Sequence, residues 1–273
     1  MRVLAVRAGV VCGLALLALA PAAAAQSGNG FHIGVIGDSV AAGFGLEAKT
    51  SKAARCAATI FVLERPTGAC DSPGKAWPAL FARGLTPTQT DGQPVVVDNQ
   101  AIAGAQTGHL SPGKRLSRRV DRIVAGDPDV ILITLGANDL LSDPRCASKK
   151  RCVKARLRAK HTERNLRALL RRLDRRTGAE IYITEYYFLD QDLGGAVDAV
   201  NSAINSAAAA FDRETVSVVS PPSFHGHGCL RKRKGTWMLP AKRDFCLHPN
   251  GAGQQQIANA ALTTFAIQNP RGR

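Results

Sequence analysis

The sequence predicts an α/β protein with a parallel sheet covered on both faces. Three observations predict it: five short apolar runs bounded by turn signals, longer helix-spaced stretches between them, and a length that one core can fill. The runs are residues 33–36, 95–97, 130–135, 181–184 and 216–219, and each reads as a buried strand. Between them, Leu157, Leu166, Leu169, Leu170 and Leu173 are assigned to one face of a helix. Gly178 is expected to close that helix in a left-handed conformation, and its Arg and Lys residues are expected to face water. A last helix is read from Ile257, Ala261 and Phe265 at i, i+4 spacing, with Asn250 as its cap. The segment 42–75, rich in Gly, Ala, Lys and Thr, breaks this rhythm. It is expected to be a long surface loop at the carboxyl edge of the sheet, where open α/β folds place their sites.

The amino terminus reads as an export signal over residues 1–25: Arg2 and Arg7, an apolar stretch over 8–20, then small residues to Ala25. That stretch is shorter than the roughly 20 residues that span a bilayer. Residues 26–273 are therefore expected to form one secreted domain, extracellular or periplasmic, and a monomer is expected.

The chain carries 36 Lys and Arg against 21 Asp and Glu, a formal charge of +15 that becomes +13 without Arg2 and Arg7. The charge clusters at 114–122, 149–176 and 231–234, a pattern drawn to anionic surfaces or else simply solvated. Aromatic residues make up only 5% of the chain and no nucleic-acid motif is visible, so nucleic acid is not an expected partner. Cys12 lies in the signal segment, which leaves six cysteines, an even count that in an exported chain points to three disulfides. Fifteen connectivities are open. Proximity favours Cys56–Cys70, Cys146–Cys152 and Cys229–Cys246, and without a CxxC pair zinc is the weaker reading.

Four segments carry chemistry. Gly37-Asp38-Ser39 follows the first apolar run, so Ser39 sits where a strand ends and a helix begins; in isolation such a run reads as a helix cap. Residues 99–110 follow the second run, and Gly104 there offers a bare backbone N–H or simply a positive-φ loop position. Gly136-Ala137-Asn138-Asp139 follows the third, with an amide donor at Asn138 and a carboxylate at Asp139 suited to holding the loop. His248 stands in the loop before the last helix, a residue type suited to act as general base for a hydroxyl.

Ser39, Gly104, Asn138 and His248, in four ordered blocks, resemble the SGNH (GDSL) hydrolases. The similarity runs over residues 33–267 and is nearest to secreted actinobacterial esterases and lipases, which similarly carry three local disulfides, an Ala-Trp-Pro run like 76–78 and a run like 224–229. The resemblance implies a three-layer α/β/α sandwich of flavodoxin-like type, ester hydrolysis, and no metal or organic cofactor. It assigns Ser39 as nucleophile, His248 as base, and Ser39, Gly104 and Asn138 as the oxyanion hole. The family's Asp three residues before the histidine is Phe245 here, with Asp244 one residue earlier. Either Asp244 or a backbone carbonyl near Phe245 then orients the imidazole. His225 and His227 lack a third ligand and fit a loop-structural role. The implied substrates are esters of lipids, phospholipids or acylated polysaccharide. An α/β-hydrolase is disfavoured because GxSxG is absent around Ser39; a non-catalytic binder of anionic cell-surface polymer is the alternative of a different class.

Overall fold

The computed structural model describes residues 30–47, 70–141, 155–187, 195–228, 235–239 and 246–270. All five expected strands form: β1 (Phe31–Gly37), β2 (Val95–Asn99), β3 (Val130–Thr134), β4 (Glu180–Thr184) and β5 (Val216–Val219). They pair in the order β2-β1-β3-β4-β5, every pair parallel. This is the doubly wound, flavodoxin-like order, whose switch point lies where β1 is flanked by β2 and β3.

The described helices are α1 (Ser39–Ala42), α2 (Trp77–Gly84), α3 (Arg115–Ala125), α4 (Ala137–Leu141), α5 (Ala155–Asp174), α6 (Ala196–Ala208) and α7 (Gly251–Gln268). Strand alternation assigns the two faces. Gly34, Ile131 and Ile181 share one row of the sheet, and a Cβ at Gly34 would lie 2.5 Å from Ile123 of α3. Val35, Leu132 and Tyr182 share the opposite row, where the Tyr182 ring packs 5.7 Å from Phe265 of α7. Phe81 of α2 meets the same Phe265 edge-on, so α2 and α7 cover one face and α3, α5 and α6 the other. The result is the expected α/β/α sandwich.

Three local expectations change. The 95–97 run is only half-buried, with Val96 47% exposed, because β2 is the edge strand and its outer residues alternate with solvent. Leu157 is 60% exposed while Leu166, Leu169, Leu170 and Leu173 are buried. It precedes Leu166 by nine residues, and at about 100° per residue that is half a turn off the apolar stripe. Gly178 does not close α5 in a left-handed conformation. The helix ends at Asp174, and the N–H and hydroxyl of Thr177 both donate to the Leu173 carbonyl, at 2.9 and 3.0 Å. Several arginines of α5 are also engaged rather than merely solvated: Arg167 donates to Glu163 and to the Ser206 carbonyl, and Arg172 and Arg176 pair with Asp121 of α3.

Residues 1–25, Cys56, Cys146, Cys152, Cys229 and Asp244 lie outside the described residues. Cys70 and Cys246 are both disulfide-bonded.

Candidate active site

Because the strands are parallel, the loops after β1, β2 and β3 leave the sheet at one edge. Ser39 opens α1 directly after β1 and is buried. Asp38 is the cap: its Oδ1 accepts from the Val40 N–H at 3.0 Å, and its own N–H donates to the Thr134 carbonyl of β3 at 2.9 Å. Gly37 is required for space rather than for an unusual φ, since a Cβ there would stand 2.7 Å from the Thr134 carbonyl oxygen and 2.8 Å from the Ala41 Cβ. Gly43, at φ 69°, ends the short helix in the left-handed region, and Phe44 N–H returns to the Ser39 carbonyl at 3.0 Å.

The loop after β2 is tied back to this turn. Ile102 N–H donates to the Gly37 carbonyl at 3.0 Å, and the Asn99 amide donates to the Ala41 carbonyl at 3.0 Å. Gly104 has φ 80°, a conformation open to glycine at little cost. The loop after β3 joins the same assembly through Asp139. Its carboxylate accepts from both the N–H and the hydroxyl of Thr107, at 2.9 and 2.6 Å. The neighbouring Asn138 amide donates to the Ala105 carbonyl at 3.0 Å, which leaves one of its two N–H groups for another acceptor.

His248 arrives from the far end of the chain. Its backbone is clamped to the 235–239 segment: Leu239 N–H donates to the His248 carbonyl and Asn250 N–H to the Trp237 carbonyl, both at 2.8 Å. Tyr187 donates to the Leu247 carbonyl at 2.8 Å. Cys246, two residues ahead, holds φ 62° in the left-handed region that non-glycine residues seldom occupy. Asn250 then caps α7, its Oδ1 accepting from Ala252 and Gly253. The outcome is Nε2 of His248 at 2.7 Å from Ser39 Oγ, across 209 residues of sequence, with the Phe44 ring packed 4.8 Å from the imidazole. The 42–75 segment thus does border the site through its described ends: Phe44, Cys70 and Ala103 form a small buried cluster beside it.

One buried carboxylate, Asp38, and two half-buried ones, Asp71 and Asp139, flank the pair. Burial pushes the Asp38 carboxyl up to about 6, against the opposing pull of the Tyr186 O–H, the Val40 N–H and the positive form of His248. Burial likewise raises Asp71, whose Oδ2 accepts from Ala103 N–H at 3.2 Å while Oδ1 has no hydrogen-bond partner among the described residues. Asp139 is raised by the same cause, opposed by its bonds to Thr107. The Tyr186 phenol is driven well above its ordinary range by burial and by the Asp38 charge.

Ser39 and His248 are therefore brought into contact, and Gly104 and Asn138 stand on the two loops knitted to the serine turn. Sequence reasoning passed over Tyr186 and Asp71. Tyr186 follows β4 at the same sheet edge, so the rule that singled out the first three strand ends would have reached it. Nothing in the sequence marks Asp71. His227 stacks on Trp237 at 3.7 Å and its Nδ1 lies 2.9 Å from the Gly235 carbonyl, the loop-structural role expected of it.

A model of the GDSL-like lipase/acylhydrolase family matches residues 35–256. No curated protein matches in sequence. Among solved structures, TesA superposes with a TM-score of 0.54 at 18% identity, covering 87% of this chain and 99% of its own. The acetylxylan esterase Axe2 from Geobacillus stearothermophilus gives 0.53 at 18%, covering 88% and 96%. The psychrotrophic esterase EstA from Pseudoalteromonas sp., solved with monoethylphosphonate as inhibitor, gives 0.52 at 19%, covering 87% and 97%.

Proposed function

This chain belongs to the GDSL-like lipase/acylhydrolase family and is a carboxylic ester hydrolase, and on that premise we propose that it is a secreted serine esterase working through Ser39 and His248. The observation that carries the reading is the 2.7 Å contact between Ser39 Oγ and His248 Nε2. A hydroxyl at that distance transfers its proton to Nε2 as Oγ bonds to the ester carbonyl carbon. The carbonyl electron pair moves onto oxygen, where Ser39 N–H, Gly104 N–H and the spare Asn138 amide N–H stabilise it. Collapse of this tetrahedral species breaks the bond to the alkoxy oxygen, His248 returns the proton to the departing alcohol, and Ser39 is left acylated. Water then repeats the sequence with His248 as base, releasing the acid and restoring the serine.

Export is supported by the signal-like residues 1–25 and by the disulfides at Cys70 and Cys246, for which the pairings Cys56–Cys70 and Cys229–Cys246, with Cys146–Cys152, are proposed. Axe2 is an acetylxylan esterase, which favours acylated polysaccharide over long-chain lipid as the substrate class. The decisive experiment is Ser39→Ala with a p-nitrophenyl ester, paired with fluorophosphonate labelling of the oxidised wild type. Background activity in the variant and stoichiometric labelling of Ser39 are expected; full activity in the variant, or no labelling of folded protein, overturns the reading.

A further inference from the structure

We propose that Tyr186 is a positioning residue of the hydrolytic site: its phenol O–H, anchored from α6, pins the Asp38 carboxylate that caps the turn carrying Ser39. The proposal rests on the Ser39–His248 reading above. Tyr186 lies outside the four blocks. Its backbone is gripped on both sides by one buried side chain, with Asn201 Oδ1 accepting from Tyr186 N–H and Asn201 Nδ2 donating to the Tyr186 carbonyl, each at 2.8 Å. From that fixed base the phenol donates to Asp38 Oδ2 at 2.5 Å, in surroundings where both residues are buried. The other oxygen, Oδ1, accepts from Val40 N–H at 3.0 Å. One carboxylate is thus held between β4's exit and the first turn of α1, and Ser39 lies between its two fastened neighbours. The Ala137 N–H, on the turn that carries Asn138, also faces the phenol oxygen.

The physical need is specific. A buried carboxylate with one oxygen unpaired is costly and seeks a proton or a new partner, and either change moves the cap. A displacement of the order of 1 Å at the serine costs up to about 10²-fold in rate. Burial raises the Asp38 carboxyl, and the titratable groups that face it and act against or with that burial are Tyr186 after β4, His248 before α7 and Asp139 on α4. The Tyr186 bond favours the ionised carboxylate, which in turn favours the positive charge that His248 gains as it takes the serine proton.

The test is Tyr186→Phe, which removes only the hydroxyl, assayed for kcat and KM on p-nitrophenyl acetate from pH 5 to 9 with thermal unfolding in parallel. The expected result is a native unfolding transition, KM changed by less than about two-fold, kcat lowered about 10–100-fold, and the acid limb of kcat/KM moved to higher pH. Added to Asp38→Asn, the change should cost nothing further. Wild-type kcat with an unmoved acid limb overturns the proposal, as does a loss expressed only in KM or a full-sized loss on top of Asp38→Asn. If Tyr186→Phe does not fold, replacement of the three tyrosines by 3-fluorotyrosine decides. The more acidic phenol should move the acid limb to lower pH, and an unmoved limb refutes the role. Ser39→Ala in the same series separates the two claims: an active Ser39→Ala removes the site itself, whereas an inactive Ser39→Ala beside a normal Tyr186→Phe sinks only the part assigned to Tyr186.

Discussion

Replacing Asp38 by Asn tests the electrostatics of the nucleophile turn through stability. In the folded chain burial lifts this carboxyl from 3.8 to about 6, outweighing its bonds from Tyr186 and Val40. A folded-state pKa raised above the unfolded one means that the fold favours the protonated form. The stabilisation from protonation is fully present below about 3.8 and is lost as pH rises through about 6. At about 1.36 kcal/mol per pH unit, the ionised group at pH 7 costs the fold about 3 kcal/mol relative to its protonated form. Asn keeps an oxygen for the Val40 N–H and caps helices as well as Asp, but it does not ionise. The assay is urea unfolding of the oxidised protein, followed by tryptophan fluorescence, for wild type and Asp38→Asn between pH 4 and 7.5. Asp71 and the basic surface titrate in both proteins and cancel in the difference. The stability of the variant relative to wild type should therefore fall by about 2–3 kcal/mol between pH 7 and pH 4. A difference that stays flat, or that grows as the pH falls, refutes the argument, because it would mean that the fold does not favour the protonated carboxyl.

Asn138→Ala should lower kcat about 10²–10³-fold if its spare N–H serves the oxyanion, and it should lower stability by only about 1 kcal/mol through loss of the bond to the Ala105 carbonyl; steady-state kinetics and thermal unfolding separate the two. Gly37→Ala should destabilise by about 1–3 kcal/mol, since the new methyl meets the Thr134 carbonyl oxygen and Ala41; a chemical denaturation midpoint equal to wild type would contradict this. Asp121→Asn should shift stability by less than about 1 kcal/mol, because its partners Arg172 and Arg176 reach it at a largely exposed site, and a larger loss would show that the α3–α5 charge contacts matter more than their exposure implies.

The strands and their order along the chain were legible because a parallel strand covered on both faces needs a near-continuous apolar run, and 33–36, 130–135, 181–184 and 216–219 are such runs. The serine, glycine, asparagine and histidine positions were marked by the resemblance of four ordered blocks to the SGNH hydrolases, since each residue's local setting by itself reads only as a helix cap or a loop position. Local signals alone determined the strands. They failed where burial depends on a distant neighbour. Val96 and Leu157 are apolar yet exposed, one because its strand has no outer partner and the other because it lies half a helical turn off the buried stripe. Only the tertiary structure decided that Nε2 of His248 meets Ser39 Oγ, since nothing local joins residues 209 apart. It also decided that Asp38, a cap by sequence, is a buried carboxylate pinned by Tyr186, because desolvation is a property of packing that no spacing of residues encodes.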